Sequence, residues 1–290
     1  MSKRKNNLNT ETKCELRNGL GYLNLKTKFW HHALIAVGGY ILSLMLISII
    51  SSALIGLFIA DGMDFSCIIG GESNGICNEE SLRIYNRITM WSQAIAQLIV
   101  VAIVAGIFFK YLLPLFKQAK EKKTWIWVGI CLVAMAIFDF SYLGILKAIN
   151  ANHSSANQEI VVSVVENIPL LGFILIVLAG PLFEEVIFRF GVFRAFLNKG
   201  KKFEIVGLVV AVVLFALIHM EATLMLAFSG NIGTNWDLIL NDLLTLPSYL
   251  FISFAVTFSY YKTKNFLAPI LIHVTWNLTQ YVLIIISILF

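Results

Sequence analysis

Long apolar stretches recur along this chain and restrict what it can fold into. A helix needs about 20 mostly apolar residues to cross ~30 Å of hydrocarbon. Seven stretches meet or approach that requirement, at approximately residues 33–60, 88–109, 125–149, 168–197, 205–219, 243–261 and 266–290. A short apolar stretch at residues 222–228 allows an eighth. The sequence therefore predicts an all-α fold, a polytopic membrane helical bundle with seven to eight transmembrane helices.

The composition supports a membrane protein and excludes an ordinary soluble domain. The chain is 58% hydrophobic and only 13% charged over 290 residues, a length that suits one bundle. Its net charge of +5 does not indicate nucleic-acid binding, because the basic residues flank the apolar stretches. The expected partner is the lipid bilayer, and no nucleic-acid partner is predicted. The chain offers no basis for predicting its oligomeric state.

Lys and Arg are concentrated in alternate loops. The N-terminal segment and the loops after the second, fourth and sixth stretches are basic, whereas residues 150–167 and 220–242 contain no Lys or Arg. Because basic loops stay in the cytoplasm, we predict a cytoplasmic N-terminus and an external C-terminus. The loop at residues 61–87 is then external. It contains Cys67 and Cys77, and both a disulfide and two free thiols remain open for this pair.

Strongly polar side chains lie on three of the predicted spans. Charged groups are costly at bilayer depth and are by default a functional-site hypothesis. Carboxylates, imidazoles and a carboxamide are also suited to activating water against an acyl carbon. These residues, with one phenylalanine at the same helical spacing, are Glu184, Glu185, Arg189, Phe215, His219, His273 and Asn277.

Helical spacing separates the two glutamates. Glu185 and Arg189 are four residues apart and share one face, so we predict an ion pair. Glu184 lies about 140° around the helix from Arg189, which leaves its carboxylate free to act as a general base. The preceding Gly180-Pro181 predicts a kink and a polar pocket beside the glutamates. Taken singly, each polar residue has a structural interpretation, but their conjunction favours a catalytic site.

Other polar residues receive structural interpretations. Asp139, near the middle of the third span, needs a partner, for which Arg189 and Lys110 are candidates. Asn167, before Ile168-Pro169, is expected to cap the fourth helix. The four cysteines form no CxxC motif and no cluster with histidine, which argues against a structural zinc site.

Three motifs resemble those of one family. Residues 184–189 read EExxxR, residues 215–219 FxxxH and residues 273–277 HxxxN, as in the CAAX protease and bacteriocin-processing (CPBP, or Abi) family of intramembrane peptidases. The resemblance covers roughly residues 170–278. It implies about eight membrane helices around a cavity open to the cytoplasm. Some members remove the last three residues of prenylated CAAX proteins, and many bacterial members act in bacteriocin maturation, self-immunity or pheromone export.

The resemblance also implies roles. Glu184 would activate water with help from His219, and His273 and Asn277 would stabilise the oxyanion. Glu185, Arg189 and Phe215 would shape the site. The substrate would be a membrane-associated peptide or protein, a CAAX-type protein or a bacteriocin or pheromone precursor. The expected location is a bacterial cell membrane.

Three divisions of the chain follow. Residues 1–29 form a basic cytoplasmic segment, residues 30–160 form N-terminal membrane helices with the external loop, and residues 161–290 form the catalytic membrane core. The leading hypothesis is a glutamate-type endopeptidase without a cofactor. Two alternatives remain open: a zinc peptidase with ligands Glu184, His219 and His273, and a non-enzymatic immunity or scaffold protein.

Overall fold

The computed structural model describes residues 34–60, 79–107, 119–151, 155–197, 199–221, 223–224 and 236–290. Within these ranges the chain is helical and contains no strand, which confirms the predicted all-α bundle. We number the helices α1 (Leu34–Gly38 continued by Gly39–Ala60), α2 (Glu79–Ile107), α3 (Lys122–Ala148), α4 (Ala156–Asn167), α5 (Pro169–Ala195), α6 (Lys201–Ile218), α7 (Trp236–Thr263) and α8 (Leu267–Leu289).

Six helices in this part of the chain are long and apolar enough to cross a membrane: α1, α2, α3, α5, α7 and α8. The protein is therefore an integral membrane protein. Helix α6 corresponds to the predicted fifth span. It has 18 residues, and Lys201, Lys202 and Glu204 lie in its first turn, so less of it is apolar.

Two helices begin earlier than hydropathy indicated. Residues 79–87, expected in the external loop, are the first turns of α2. Helix α7 begins at Trp236 rather than at residue 243 and contains Pro247. In both cases hydropathy marks only the apolar part of a helix, whereas the hydrogen-bonded backbone continues into polar residues. Residues 222 and 225–228 of the proposed eighth span, together with Cys67 and Cys77, lie outside the described residues.

The segment 150–167, predicted as a loop, contains helix α4. Ser155 caps this helix, since its hydroxyl accepts a hydrogen bond from Gln158 N at 3.2 Å. A second cap comes from α7, where Asp242 Oδ1 accepts from Ala156 N at 3.1 Å. The backbone groups at the start of a helix need such partners. One of these partners, Asp242, lies 86 positions farther along the chain than the backbone N–H it caps.

The prediction that Asn167 caps the fourth helix is wrong. Asn167 is the last residue of α4, and its amide donates to Ser163 O at 2.8 Å. The residue that precedes α5 is Ile168, which makes no side-chain cap, and Pro169 opens the helix as expected. Proline suits this first position because the N–H it lacks has no partner there in any case.

Helix α5 is central to the bundle and irregular. Half of its apolar window is buried, compared with 17–33% for the other candidate spans. It changes from π-helical at Phe173–Ala179 to α-helical at Gly180–Glu184, and back to π-helical at Glu185–Val192. Pro181 lies at the first change, where the wider turn accommodates its missing N–H. Glu184 and Glu185 lie on either side of the second change.

Small residues let α5 and α6 contact their neighbours closely. A Cβ on Gly191 would lie 3.0 Å from the Cβ of Ala36 on α1. A Cβ on Gly207 would lie 2.4 Å from the Cβ of Phe196. Glycine at such positions is the usual means of close helix packing in membranes. These contacts fix α5 against α1 and α6, and so fix the glutamates it carries.

Candidate active site

The predicted ion pair of α5 is present and fully buried. Arg189 Nη1 lies 3.2 Å from Glu185 Oε1, and neither side chain is exposed. Arg189 Nη2 also donates to the carbonyl oxygen and the hydroxyl of Ser253 on α7, at 3.3 and 3.2 Å. Its guanidinium carbon lies 4.5 Å from the centre of the Phe215 ring. Helices α5, α6 and α7 therefore share one buried cation, whose charge is compensated locally.

His273 lies between the two glutamates. Its Nδ1 is 2.7 Å from Glu185 Oε1, and its Nε2 is 3.6 Å from Glu184 Oε2. Because Glu185 is also paired with Arg189, its carboxylate accepts the Nδ1 proton. This contact fixes the ring and directs Nε2 towards Glu184. The spacing within α5 and α8 did not predict this arrangement, since it joins residues 88 positions apart.

His219 has a defined tautomer. Its Nδ1 lies 2.9 Å from the carbonyl oxygen of Phe215, one turn earlier on α6. A carbonyl only accepts, so Nδ1 is the donor and Nε2 of the neutral ring carries the free lone pair. The ring contacts two aromatic rings, with centroid distances of 4.6 Å to Phe215 and 4.5 Å to Tyr249. His219 therefore presents Nε2, with its lone pair, in a fixed orientation.

Asn277 is anchored to the irregular part of α5. Its Nδ2 donates to the carbonyl oxygen of Ile176 at 2.9 Å. Ile176 lies in the π-helical segment Phe173–Ala179, where wider turns alter the backbone bonding pattern. One N–H of the carboxamide is used in this contact, and the second remains for another acceptor.

One cavity brings the predicted site residues together. It has a volume of about 420 Å³ and is lined by Glu184, Phe215, His219, His273 and Asn277, among others. This volume is in the range of ligand pockets, ~300–1,000 Å³. Glu185 and Arg189 do not line it and lie behind His273. The buried Glu184 Oε2 has no hydrogen-bond partner among the described residues, so it can accept a proton or a water.

The cavity extends towards the end of the bundle where α4 begins. Its wall includes Ser155 and Asn157 at the start of α4, and Tyr281 in the second half of α8. Lys262 and Lys264, in contrast, lie at the end of α7 and just before the start of α8, which is the end of α8 farther from Tyr281. With a cytoplasmic N-terminus, the cavity would extend towards the external face. This placement differs from the cytoplasmic opening implied by the family resemblance.

Two residues of the site were not expected from the sequence. The ring of Tyr249 packs against His219 at a tilt of 34°. Its hydroxyl accepts a hydrogen bond from Asn157 Nδ2 at 2.9 Å, which connects α7 to α4. Ser253, one turn later, binds Arg189 as described above. Thr257 follows at the same spacing and is fully buried. Three polar residues four apart on an apolar helix define one face, a signal that could have identified them.

Of the two partners suggested for Asp139, Arg189 is engaged by Glu185 and Ser253, and Lys110 lies outside the described residues. Asp139 lines the cavity and hydrogen-bonds the side chain of Ser248 on α7. Spacing along one chain segment cannot show which helix packs against the third span, so the contact with Ser248 was not predicted.

No group of three His, Cys, Asp or Glu side chains is arranged to hold a metal ion in the part of the chain that the structure describes. Glu184 and His273 approach each other, but His273 Nδ1 and His219 Nδ1 are both occupied by protein acceptors. In each imidazole, Nε2 is therefore the ring nitrogen that can bind a metal ion or a reacting group.

Comparison with known proteins supports the resemblance. Residues 166–279 match the family model described as type II CAAX prenyl endopeptidase Rce1-like. The match covers about two fifths of the 290 residues and includes all three motifs. No curated protein and no solved structure matched the chain. The family match supports, in general terms, a CAAX-type intramembrane endopeptidase with a substrate in the membrane.

Proposed function

Because residues 166–279 carry the Rce1-like region, we propose that this protein is a glutamate-type intramembrane endopeptidase. It hydrolyses a peptide bond in a membrane-associated peptide or protein. The observation that carries the proposal is the shared cavity. One free carboxylate, two oriented imidazoles and one carboxamide from α5, α6 and α8 line a single cavity in the bundle.

Glu184 is the general base. Its unpartnered Oε2 removes a proton from a water molecule as the water oxygen attacks the carbonyl carbon of the substrate. The tetrahedral intermediate then breaks its carbon–nitrogen bond. The same carboxyl returns the proton to the leaving amine, so Glu184 ends the cycle ionised. His219 assists by accepting a hydrogen bond from the attacking water at Nε2.

His273 and Asn277 stabilise the oxyanion. The proton on His273 Nε2 and the second N–H of Asn277 donate hydrogen bonds to the substrate oxygen. These hydrogen bonds strengthen as negative charge develops on that oxygen. Loss of one such donor typically reduces the rate by ~10²–10³-fold. Glu185 acts through His273, because its carboxylate accepts the Nδ1 proton and fixes the orientation of the ring. Arg189 in turn pairs with Glu185 and holds that carboxylate in place.

The proposed reaction needs no metal. Purified protein should retain full activity after dialysis against a chelator, and its metal content should be far below one zinc per chain. Loss of activity in chelator that zinc restores would favour the alternative in which Glu184, His219 and His273 bind zinc.

Glu184→Gln tests the function directly, because the amide keeps the shape of the side chain but cannot accept the proton. Comparative peptidomics of cells with wild-type protein and with this variant should show an uncleaved precursor only in the variant. Glu166→Gln is the matched control. Glu166 is exposed on α4, and its substitution removes the same charge as Glu184→Gln does. A Glu184→Gln protein that keeps full biological activity would instead support the immunity or scaffold role.

We further propose that the protein lies in a bacterial cell membrane with its N-terminus in the cytoplasm. The alternating distribution of Lys and Arg supports this orientation. Single cysteines placed near Lys201 and near Ser155 should react with a membrane-impermeant thiol reagent from opposite sides. Reversed accessibility would contradict the orientation.

A further inference from the structure

The backbone carbonyl of Ile176 is bound by a side chain from another helix. Asn277 Nδ2, on α8, donates to it at 2.9 Å. Inside a helix a carbonyl ordinarily accepts from an N–H of its own backbone, four residues later in an α-helix and five residues later in a π-helix. For Ile176 these donors would be the N–H groups of residues 180 and 181. The carbonyl is fully available to Asn277 only where neither of them takes it.

Gly180 and Pro181 together leave this carbonyl without a backbone donor. The N–H of Gly180 donates to Leu175 O, five residues earlier. The next residue is Pro181, which has no N–H. A Cβ at residue 180 would lie 3.0 Å from the same Leu175 oxygen, so glycine suits the close approach of this π-type bond. Neither residue that would pair with Ile176 O in an α- or π-helix therefore does so.

The free carbonyl fixes the orientation of the carboxamide. Ile176 and Asn277 both line the cavity that contains the proposed catalytic groups. The two N–H groups of a carboxamide are coplanar, so anchoring one of them on Ile176 O sets the direction of the other. We propose that Gly180 and Pro181 are positioning residues for the reaction. They keep Ile176 O free, and this oxygen orients Asn277 as an oxyanion donor. The inference rests on the proposed function, to which it adds these two residues.

Pro181→Ala tests the proposal, because it supplies the missing N–H. That N–H would continue the five-residue pattern of the preceding π-helical turn and take Ile176 O, so that Asn277 loses its anchor. We expect kcat to fall by about tenfold or more while KM changes by less than about threefold, since an oxyanion donor acts mainly in the transition state. The assay uses purified full-length protein in lipid nanodiscs, and its substrate is the precursor that accumulates in cells with Glu184→Gln.

Two controls separate the missing N–H from other effects of the proline. In Pro181→lactic acid, introduced by nonsense suppression during cell-free synthesis, the residue has the methyl group of alanine, but an ester oxygen replaces the N–H. Its kcat should stay within about threefold of the wild-type value, because Ile176 O remains free. Pro169→Ala adds an N–H at the first residue of the same helix, where an N–H has no intrahelical acceptor, and should keep the wild-type kcat.

A double-mutant cycle tests whether Pro181 acts through Asn277. Asn277→Ala should lower kcat by about 10²-fold, and Pro181→Ala should then add less than about threefold to that loss. The same cycle is read in Tm without substrate. Asn277→Ala leaves the carbonyl unpaired only where residue 181 is proline, so it should lower Tm by about 4 °C in the parent protein and by about 1 °C in Pro181→Ala. Tyr281, one turn later on α8, donates to Pro169 O at 2.8 Å, so α8 keeps a contact with α5 in these variants.

The outcomes distinguish the inference from the proposed function. Additive losses in kcat or in Tm, or a lactic acid variant as slow as Pro181→Ala, overturn the inference and leave the peptidase function intact. The lactic acid result stands even where Pro181→Ala fails to fold. A precursor that never accumulates with Glu184→Gln, or that purified wild-type protein leaves uncut, overturns the proposed function, and the Tm cycle then still decides whether Pro181 frees Ile176 O.

Discussion

The contribution of the buried ion pair between Arg189 and Glu185 to the stability of the site can be tested quantitatively. Both side chains are fully buried, and their closest atoms are 3.2 Å apart. Arg189→Met removes the cation but keeps much of the side-chain volume, and so leaves Glu185 in the interior without its ion-pair partner. Breaking a buried pair in this way costs about 3–5 kcal/mol. In a chain of this size each kcal/mol lowers Tm by roughly 2–3 °C, so we expect a decrease of about 10 °C.

The double variant Arg189→Met with Glu185→Gln distinguishes electrostatics from packing. With both charges removed, no uncompensated ion remains, and most of the lost Tm should return. Activity should not return, because the glutamine side chain is neutral and cannot hold His273 Nδ1 as a carboxylate does. The assay is thermal unfolding of purified protein in detergent together with peptide cleavage.

Two results would refute this reasoning. The first is an Arg189→Met protein that unfolds at the wild-type temperature. The second is a double variant that is no more stable than either single one. Either result would mean that the ion pair is not what stabilises this part of the bundle.

Two further predictions concern residues around the site. Tyr249→Leu removes the ring that lies 4.5 Å from His219 and should lower kcat by about 10²-fold, as expected for a misplaced catalytic group. Tyr249→Phe keeps the ring and loses only the hydroxyl, so its kcat should fall much less; equal losses would contradict a positioning role for the ring. Gly207→Ala places a Cβ 2.4 Å from Phe196 and should destabilise the bundle by about 1–3 kcal/mol, measured as a lower Tm. Gly129→Ala is its control, because a Cβ there meets nothing within 4 Å, and a similar Tm for the two variants would argue against close packing at Gly207.

The sequence predicted well those features that depend on a single helix. Apolar length located the spans, and four-residue spacing predicted the contact between Glu185 and Arg189, because residues i and i+4 share a helix face. The three motifs identified residues that line one cavity in the structure. The assignment of chemical roles to these residues stays a prediction.

What the sequence did not predict depends on contacts between distant segments. The hydrogen bond between His273 and Glu185 joins α8 to α5, and the ring contact of Tyr249 with His219 joins α7 to the end of α6. Periodicity within one segment does not show how helices pack against each other. Helix α4 was missed for a related reason. Its sequence is short and partly polar, and Asp242, far along the chain, helps to cap its first turn.

The full burial of Arg189 has a consequence for biogenesis. An arginine inside an isolated span disfavours insertion, by up to about 2.5–3.5 kcal/mol at the span centre on the translocon scale. Glu185 compensates part of this cost within α5, but Ser253 is synthesised 64 residues later. We therefore expect α5 to remain beside the insertion machinery until α7 emerges. Truncation of the nascent chain before residue 253 should then leave α5 incompletely integrated and open to quality-control proteolysis.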